Sequence, residues 1–156
     1  MKVSKKTRYG LRLMVELARN YHTGPVSLSE VARKEGISER FLGQIIHQLK
    51  TQAPVVSIRG PKGGYMLSIS PSEITIKSVL DIFGVPLAFV ECINDISACD
   101  KGEDCPSRIV WVEIAKCIDM TLRSLTLAHL ISNKGKSKSN ILNIKGGDTS
   151  REKALR

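Results

Sequence analysis

The stretch from Ser38 to Leu67 constrains the fold more than any other part of the chain. It opens Ser-Glu-Arg-Phe-Leu-Gly-Gln-Ile-Ile-His-Gln-Leu-Lys, passes through Thr-Gln-Ala-Pro, and continues Val-Val-Ser-Ile-Arg-Gly-Pro-Lys-Gly-Gly-Tyr-Met-Leu. The Ser38 hydroxyl can accept an orphan backbone N–H from a helix that starts after it. Phe41, Leu42, Ile45, Ile46 and Leu49 recur at helical spacing, which predicts one apolar face. The other face carries Arg40, Gln44, His47 and Gln48, side chains that can bond base edges and phosphates. Pro54 ends the helix, because it lacks an N–H and restricts the residue before it. Val55 to Ile58 and Tyr65 to Ile69 then read as two short strands around the tip Arg59-Gly-Pro-Lys-Gly-Gly64, which holds two cations. A helix followed by a basic hairpin predicts a winged helix. The helix enters a major groove, and the wing reaches a neighbouring minor groove or the backbone. The plainer reading is a surface helix with an ordinary hairpin loop, and the rest of the chain weakens it.

Residues 3–20 place Leu11, Met14, Val15, Leu17 and Ala18 on one face, with Lys5, Lys6, Arg8, Arg12 and Arg19 elsewhere. This predicts an amphipathic helix ending near Asn20, before Gly24-Pro25. Ser27-Leu-Ser-Glu30 has the capping-box pattern, a hydroxyl at the cap and a carboxylate three residues on. Leu28, Val31 and Ala32 are the apolar positions of this second helix, and Gly36 closes it. Two short helices joined at a glycine, the second with a polar outer face, form a helix-turn-helix. Three helices and a wing then fill residues 1–70, a DNA-binding unit.

Residues 71–84 read as a connecting helix opened by Pro71-Ser-Glu, with Ile76, Val79, Leu80 and Ile82 buried and Gly84 and Pro86 as its stop. From 85 to 106 no period is sustained, and a loop of that length is usually functional or disordered. Ser107 to Leu122 predicts a long helix with the stripe Trp111, Ile114, Ala115, Ile118 and Leu122, widened by Ile109, Val110, Val112 and Cys117. So wide an apolar face needs more than one neighbour, and a second chain is the natural one. Thr126 to Ile131 closes the unit over 107–132. Residues 133–156 are Lys-, Ser-, Gly- and Asn-rich and predict a disordered basic tail. The architecture expected is mainly α with a small β-wing, a winged helix-turn-helix plus a long dimerisation helix.

Charge is unevenly placed. Residues 1–70 hold 12 Lys/Arg against 4 Asp/Glu, a net of +8; residues 71–132 hold 5 against 9, a net of −4; residues 133–156 hold 7 against 2, a net of +5. The first unit therefore suits a polyanion partner. Apolar content of 42% suffices for a core, and aromatic content of 4% leaves it mainly to Leu, Ile and Val. No apolar run approaches the ~18 residues needed to span a bilayer, and no secretory signal pattern follows the basic start. A soluble, cytoplasmic protein with no membrane partner is expected.

The four cysteines are Cys92, Cys99, Cys105 and Cys117. Without a signal peptide, thiols or metal ligands are more common than structural disulfides. Cys92-x6-Cys99-x5-Cys105 places three soft donors in one loop, and thiolates select zinc or iron–sulfur clusters. Scattered reactive thiols are the competing reading. Cys117 lies some 15 Å along the following helix and within its apolar stripe. It is expected to be a buried structural thiol.

The chain resembles the Rrf-type winged-helix transcriptional regulators, which include IscR-, NsrR- and CymR-like members. The opening Met-Lys-Val-Ser-Lys-Lys-Thr-Arg-Tyr-Gly-Leu-Arg-Leu-Met14, then Gly24-Pro25, Ser27-Leu-Ser-Glu-Val-Ala32, Ile37-Ser38, Ser57-Ile-Arg-Gly-Pro-Lys-Gly-Gly-Tyr65 and Thr126-Leu-Ala-His-Leu130 carry the resemblance. It spans about residues 1–132, and the wing motif is highly specific. The resemblance implies a homodimeric DNA-binding transcription factor, often a repressor, and a two-fold dimer asks for a pseudo-palindromic operator of double-stranded DNA. In the iron–sulfur branch, it implies that Cys92, Cys99 and Cys105 hold a [2Fe–2S] or [4Fe–4S] cluster. The fourth ligand of IscR-like members is a histidine three residues after the last cysteine. Arg108 stands there, and a guanidinium stays protonated. In NsrR-like members an aspartate serves, where this chain has Arg8. A nearby carboxylate, an exogenous ligand or an open iron remain as alternatives. Gly43 stands where many relatives carry a base-reading glutamate, so the base preference is expected to differ.

The residues expected to meet DNA are Lys5, Lys6, Ser38, Arg40, Gln44, Gln48, Arg59 and Lys62. One rival keeps this plan without a cluster, with the cysteines as thiol switches or zinc ligands. Another is an enzyme with a nucleophilic cysteine, which needs a base within hydrogen-bond reach. His22, His47 and His129 all lie far from the cysteine loop in sequence, so the chain is not expected to be an enzyme. A winged helix used for protein contact alone is disfavoured by the +8 charge of residues 1–70.

Overall fold

A computed structural model describes residues 3–88, 90–101 and 104–132. The expected basic tail at 133–156 lies outside them. Among the described residues no helix is long and apolar enough to cross a membrane.

Helix α1 spans Lys5–Arg19 and is capped by Ser4, whose hydroxyl accepts from the Thr7 N–H at 3.1 Å. It buries Thr7, Gly10, Leu13, Met14, Leu17 and Ala18. Leu13, absent from the expected stripe, is fully enclosed, whereas Leu11 and Val15 are half-buried. Helix α2 spans Leu28–Glu35 and ends at Gly36, which takes the left-handed conformation at φ 65°. Its Ser27 cap departs from the expected box. The Ser27 hydroxyl pairs with that of Ser29 at 2.7 Å and makes no bond to the helix backbone. Helix α3 spans Glu39–Gln52, its Ser38 cap accepting from the Phe41 N–H at 3.3 Å.

Strands β1 (Val55–Ile58) and β2 (Gly64–Leu67) pair antiparallel, from Val55 opposite Leu67 to Ile58 opposite Gly64. Helix α4 spans Ile76–Ile82 and starts later than Pro71. Residues 70–73 close a separate turn, in which Glu73 N–H donates to Ser70 O, and the Thr75 hydroxyl caps the helix from Ser78 N–H. Two single 3-10 turns follow, Glu91–Ile93 and Ile96–Ala98. Helix α5 spans Pro106–Ser124, and α6 spans Leu127–Ser132.

α1 lies at the centre, against α3, α4, β2 and α6, while α2 packs on α3 and α5 on α4. One core joins Leu13, Met14 and Leu17 of α1 to Leu42, Ile45 and Leu49 of α3 and Leu67 of β2. Ile74, Ile76, Val79 and Leu127 belong to the same core. Each such side chain stabilises the fold by roughly 1.5–3 kcal/mol when removed from water. The chain returns after α5 to seal it: Leu127 N–H donates to Ile74 O, Ala128 N–H to Pro71 O, and Ile76 N–H to Leu125 O. The imidazole of His129 accepts from the backbone N–H and meets the hydroxyl of Thr126, closing the start of α6 as a carboxylate does in a capping box.

Candidate DNA interface and cysteine loop

The wing is welded to the helix-turn-helix by its backbone. Val26 N–H donates to Tyr65 O at 2.8 Å and Tyr65 N–H to Val26 O at 2.9 Å, so the segment before α2 forms a bridge to β2. This approach requires glycine. A Cβ on Gly64 would fall 2.4 Å from Val26 O, and one on Gly63 would fall 2.3 Å from Ile58 O. Lys50 of α3 reaches across to Ser57 of β1 at 3.2 Å and lies over the Tyr65 ring at 6.0 Å. Helix α3 and the wing are thus fixed to each other, α3 packs on α2, and the segment just before α2 is bridged to the wing.

Arg40, Gln44 and His47 are exposed along α3, and Arg59 and Lys62 are exposed at the wing tip. Lys5 and Lys6 are exposed at the start of α1. Among the described residues none of Lys5, Lys6, Arg40, Arg59 or Lys62 is engaged in an ion pair. Other cations in the same unit are committed internally. Arg12 pairs with Glu35 at 2.6 Å and Lys34 with Glu16 at 2.8 Å, clamping α2 to α1, while Arg19 pairs with Glu16 at 3.2 Å within α1. Burial pushes the Glu16 carboxyl up, but hydrogen bonds and charge from Lys34 and Arg19 outweigh it and hold it below the usual value.

Gln48 departs from the expectation that it faces DNA. Its side chain is half-buried, and its amide N–H donates to the main-chain oxygen of Ile82, the last residue of α4. Its amide oxygen is enclosed with no partner among the described residues. Helical spacing places 48 beside 44, yet the groove between α3 and α4 swallows it. Gly43 has nothing within 4 Å of an added Cβ, so this position on α3 is open.

Cys92 lies half-buried in the first 3-10 turn, Cys99 is exposed after the second, and Cys105 is half-buried at the cap of α5. All three are free thiols. The Ser107 hydroxyl, 3.1 Å from Cys105 Sγ, and the first backbone N–H groups of α5 hold that thiol below its usual range. Asp95 is occupied in its own turn, accepting from the Ser97 N–H and hydroxyl at 3.0 and 2.6 Å. Arg108, where the resemblance would ask for a histidine ligand, clamps the loop: its Nε donates to Cys92 O at 3.2 Å. The donor chemistry of three thiols suits an iron–sulfur cluster or zinc. The positions do not, since among the described residues no three His, Cys, Asp or Glu side chains gather as a metal site. Cys117 also departs from expectation. It is exposed on α5 because the single chain offers that face nothing to pack against.

The match to known proteins covers this whole architecture. The Rrf2 profile, described as an iron-dependent transcriptional regulator, matches residues 3–133. CymR of Bacillus subtilis strain 168 is 36% identical over 132 residues, which is 85% of this chain and 91% of CymR. IscR of Erwinia tasmaniensis is 31% identical over 134 residues, 86% of this chain and 81% of IscR. Among solved structures, that of CymR, described as the global cysteine regulator of B. subtilis, matches with a TM-score of 0.74 at 34% identity, covering 86% of this chain and 99% of that one. IscR of T. potens matches with a TM-score of 0.67 at 32% identity, covering 86% and 89%. CymR and IscR are each named as HTH-type transcriptional regulators. The chain belongs to the Rrf2 family of transcriptional regulators.

Proposed function

We propose that this chain is a homodimeric DNA-binding regulator, acting as a repressor on a pseudo-palindromic operator, whose affinity is set by the state of the Cys92–Cys105 loop. The welded α3–wing surface, with Arg40, Gln44, Arg59 and Lys62 exposed and outside the internal ion pairs, is the observation that carries it. Cations of this kind bind phosphate and release counterions, and the few polar groups on α3 read bases. Ser38 sits at the same end of α3, its hydroxyl proton available to a phosphate while its oxygen caps the helix.

The loop takes one of two forms. In the first it gathers Cys92, Cys99 and Cys105 around an iron–sulfur cluster, [2Fe–2S] or [4Fe–4S]. The closely spaced soft donors and the iron-dependent description of the family support this form. In the second the loop works without a cluster, as a thiol switch or with zinc. The lowered Cys105 thiol, beside the Ser107 hydroxyl, and the likeness to CymR support that form. The visible spectrum of anaerobically purified protein, with iron and sulfide counts, decides between them. A chromophore lost in each single Cys→Ala variant at 92, 99 and 105, and kept in Cys117→Ala, identifies the cluster form. Colourless protein free of iron and sulfide identifies the other. Equal operator affinity of wild type and the triple Cys92→Ala, Cys99→Ala, Cys105→Ala variant rejects loop control in either form.

A further inference from the structure

Gln48 occupies a position that neither DNA reading nor core packing accounts for. It follows His47 on the recognition helix, yet its side chain turns inward and its amide N–H meets the carbonyl of Ile82. The amide oxygen is enclosed without a partner among the described residues. An unpaired buried acceptor lowers stability relative to an apolar side chain of similar volume. Stability alone would therefore favour Met or Leu here, so the amide serves a geometric end.

That end is visible in what Ile82 joins. α4 terminates there, and the next residue, Phe83, lies against Gly10 of α1, where an added Cβ would fall 2.2 Å from the ring. Gly84 then turns at φ 61°, and the chain leaves for the cysteine loop. On its other side α4 is tied to α5: Lys77, with a side chain only 14% exposed, pairs with Asp81 and lies 3.7 Å from Asp119. The loop begins at the end of α4 and finishes at the start of α5. A rearrangement of the loop thus bears directly on the end of α4, and Gln48 is the polar bond from that end to the recognition helix.

We infer that Gln48 is a positioning residue that couples the cysteine loop to the recognition helix through its hydrogen bond to the Ile82 carbonyl. This rests on the reading that the loop controls operator affinity. Coupling between two sites requires an element that both bias, and the packing of α3 on α4 is that element. The residue acts through the setting of α3, while Arg40 and Gln44 bond bases and phosphates.

A thermodynamic cycle tests it. The probe is a duplex selected from a random pool by the full-length wild type. Its affinity is measured for wild type, Gln48→Met, the triple cysteine-to-alanine variant, and the combination. Met keeps the length and helix propensity of Gln but removes the donor. The expected result is a clear difference between wild type and the triple variant that shrinks to within about twofold in the Gln48→Met background. Gln48→Lys, which keeps a donor facing the C-terminal carbonyls of α4, should preserve most of the wild-type difference, and its added charge cancels in the ratio. An unchanged ratio in Gln48→Met overturns the inference while leaving loop control standing. A Gln48→Lys variant that behaves as Gln48→Met overturns the role of the hydrogen bond. Equal affinity of wild type and the triple variant removes loop control, and the coupling falls with it. Circular dichroism and melting of each variant identify loss of fold, which would shift both backgrounds alike.

Discussion

The ring of Phe83 lies so close over Gly10 that a Cβ on the glycine would fall 2.2 Å from Cζ and 2.3 Å from Cε2. A helix-interior glycine ordinarily weakens a helix by about 1 kcal/mol relative to alanine. Here it makes room for the end of α4 on α1. Gly10→Ala should lower stability by a net ~1 kcal/mol, overpacking outweighing the helix gain. Urea midpoints measure this. Phe83→Leu in the same chain should relieve part of the loss, a non-additivity expected only of touching residues. A Gly10→Ala midpoint above wild type would show that the ring moves aside freely.

Gly64 and Gly43 should respond in opposite senses. At Gly64 the obstacle is the Val26 carbonyl, 2.4 Å from an added Cβ, and backbone gives way less readily than a side chain. Gly64→Ala should break the Val26–Tyr65 bridge, lower stability by about 2 kcal/mol or more, and weaken operator binding. Gly43 is open, so Gly43→Ala should raise stability by about 1 kcal/mol. Thermal melts of the two variants beside wild type make the comparison.

Local signals explain what the sequence made legible. The Ser38 cap, the stop at Pro54, the strand pair around Arg59–Gly64 and the Gly36 turn each depend on neighbours within a few residues. Long-range partners were not legible. Nothing in the spacing of α3 separates Gln48 from Gln44, because Ile82 lies 34 residues away. The Val26–Tyr65 bridge is hidden for the same reason, and so is the bond that takes Arg108 to the Cys92 carbonyl. Ser27 shows the limit of a local motif: the capping-box letters are present, yet its hydroxyl turns to Ser29. His129 shows the reverse, since an imidazole closes α6 where the usual pattern asks for a carboxylate.

The Glu16 clamp makes stability sensitive to acid in a definite sense. Its carboxyl is held below the ordinary value of 4.5 by Lys34 and Arg19 against the opposing effect of burial. A lowered folded value contributes stability that is present above the unfolded value and lost as pH falls through the folded one. Wild type should therefore lose stability on acidification through that range, and Glu16→Gln should lose less over the same interval while starting somewhat lower at neutral pH. Chemical unfolding at several pH values tests this. Parallel curves for the two proteins would show that the clamp contributes nothing that titrates.

Arg59 and the α1 lysines should separate specific from non-specific binding. A wing arginine in a narrow minor groove has no neutral substitute, so Arg59→Ala should strongly weaken binding to an identified operator. Gln44→Ala should relax discrimination at one base pair, by roughly 1–3 kcal/mol. Lys5→Ala and Lys6→Ala should weaken all sequences alike and reduce the salt slope by about 0.9 for each phosphate that is no longer neutralised. Fluorescence anisotropy across a salt series reads all three effects. Wild-type operator affinity in Arg59→Ala would reject the docking of the wing on DNA.

α5 leaves apolar side chains open in the single chain, and a second copy is the proposed cover. No residue of this helix is fully buried, and Ile109 and Met120 are 69% and 61% exposed. Val110 is 56% and Trp111 38% exposed, while Leu122 alone of the α5 apolar residues packs on the core. Exposed large apolar side chains in such number on one helix mark an association site. Covering it with the same face of a second copy would also enclose Cys117, in keeping with the apolar stripe that contains it. Two recognition helices would then stand on one two-fold axis, which asks for half-sites about 34–36 Å apart or a multiple of that. Trp111→Asp places a charge in this seam and should yield monomers by sedimentation velocity at micromolar concentration. Operator affinity should fall with it, because each monomer then holds one half-site without the gain from a linked second half-site. A wild type that is monomeric at that concentration and still binds the full operator tightly would remove α5 as the dimer helix.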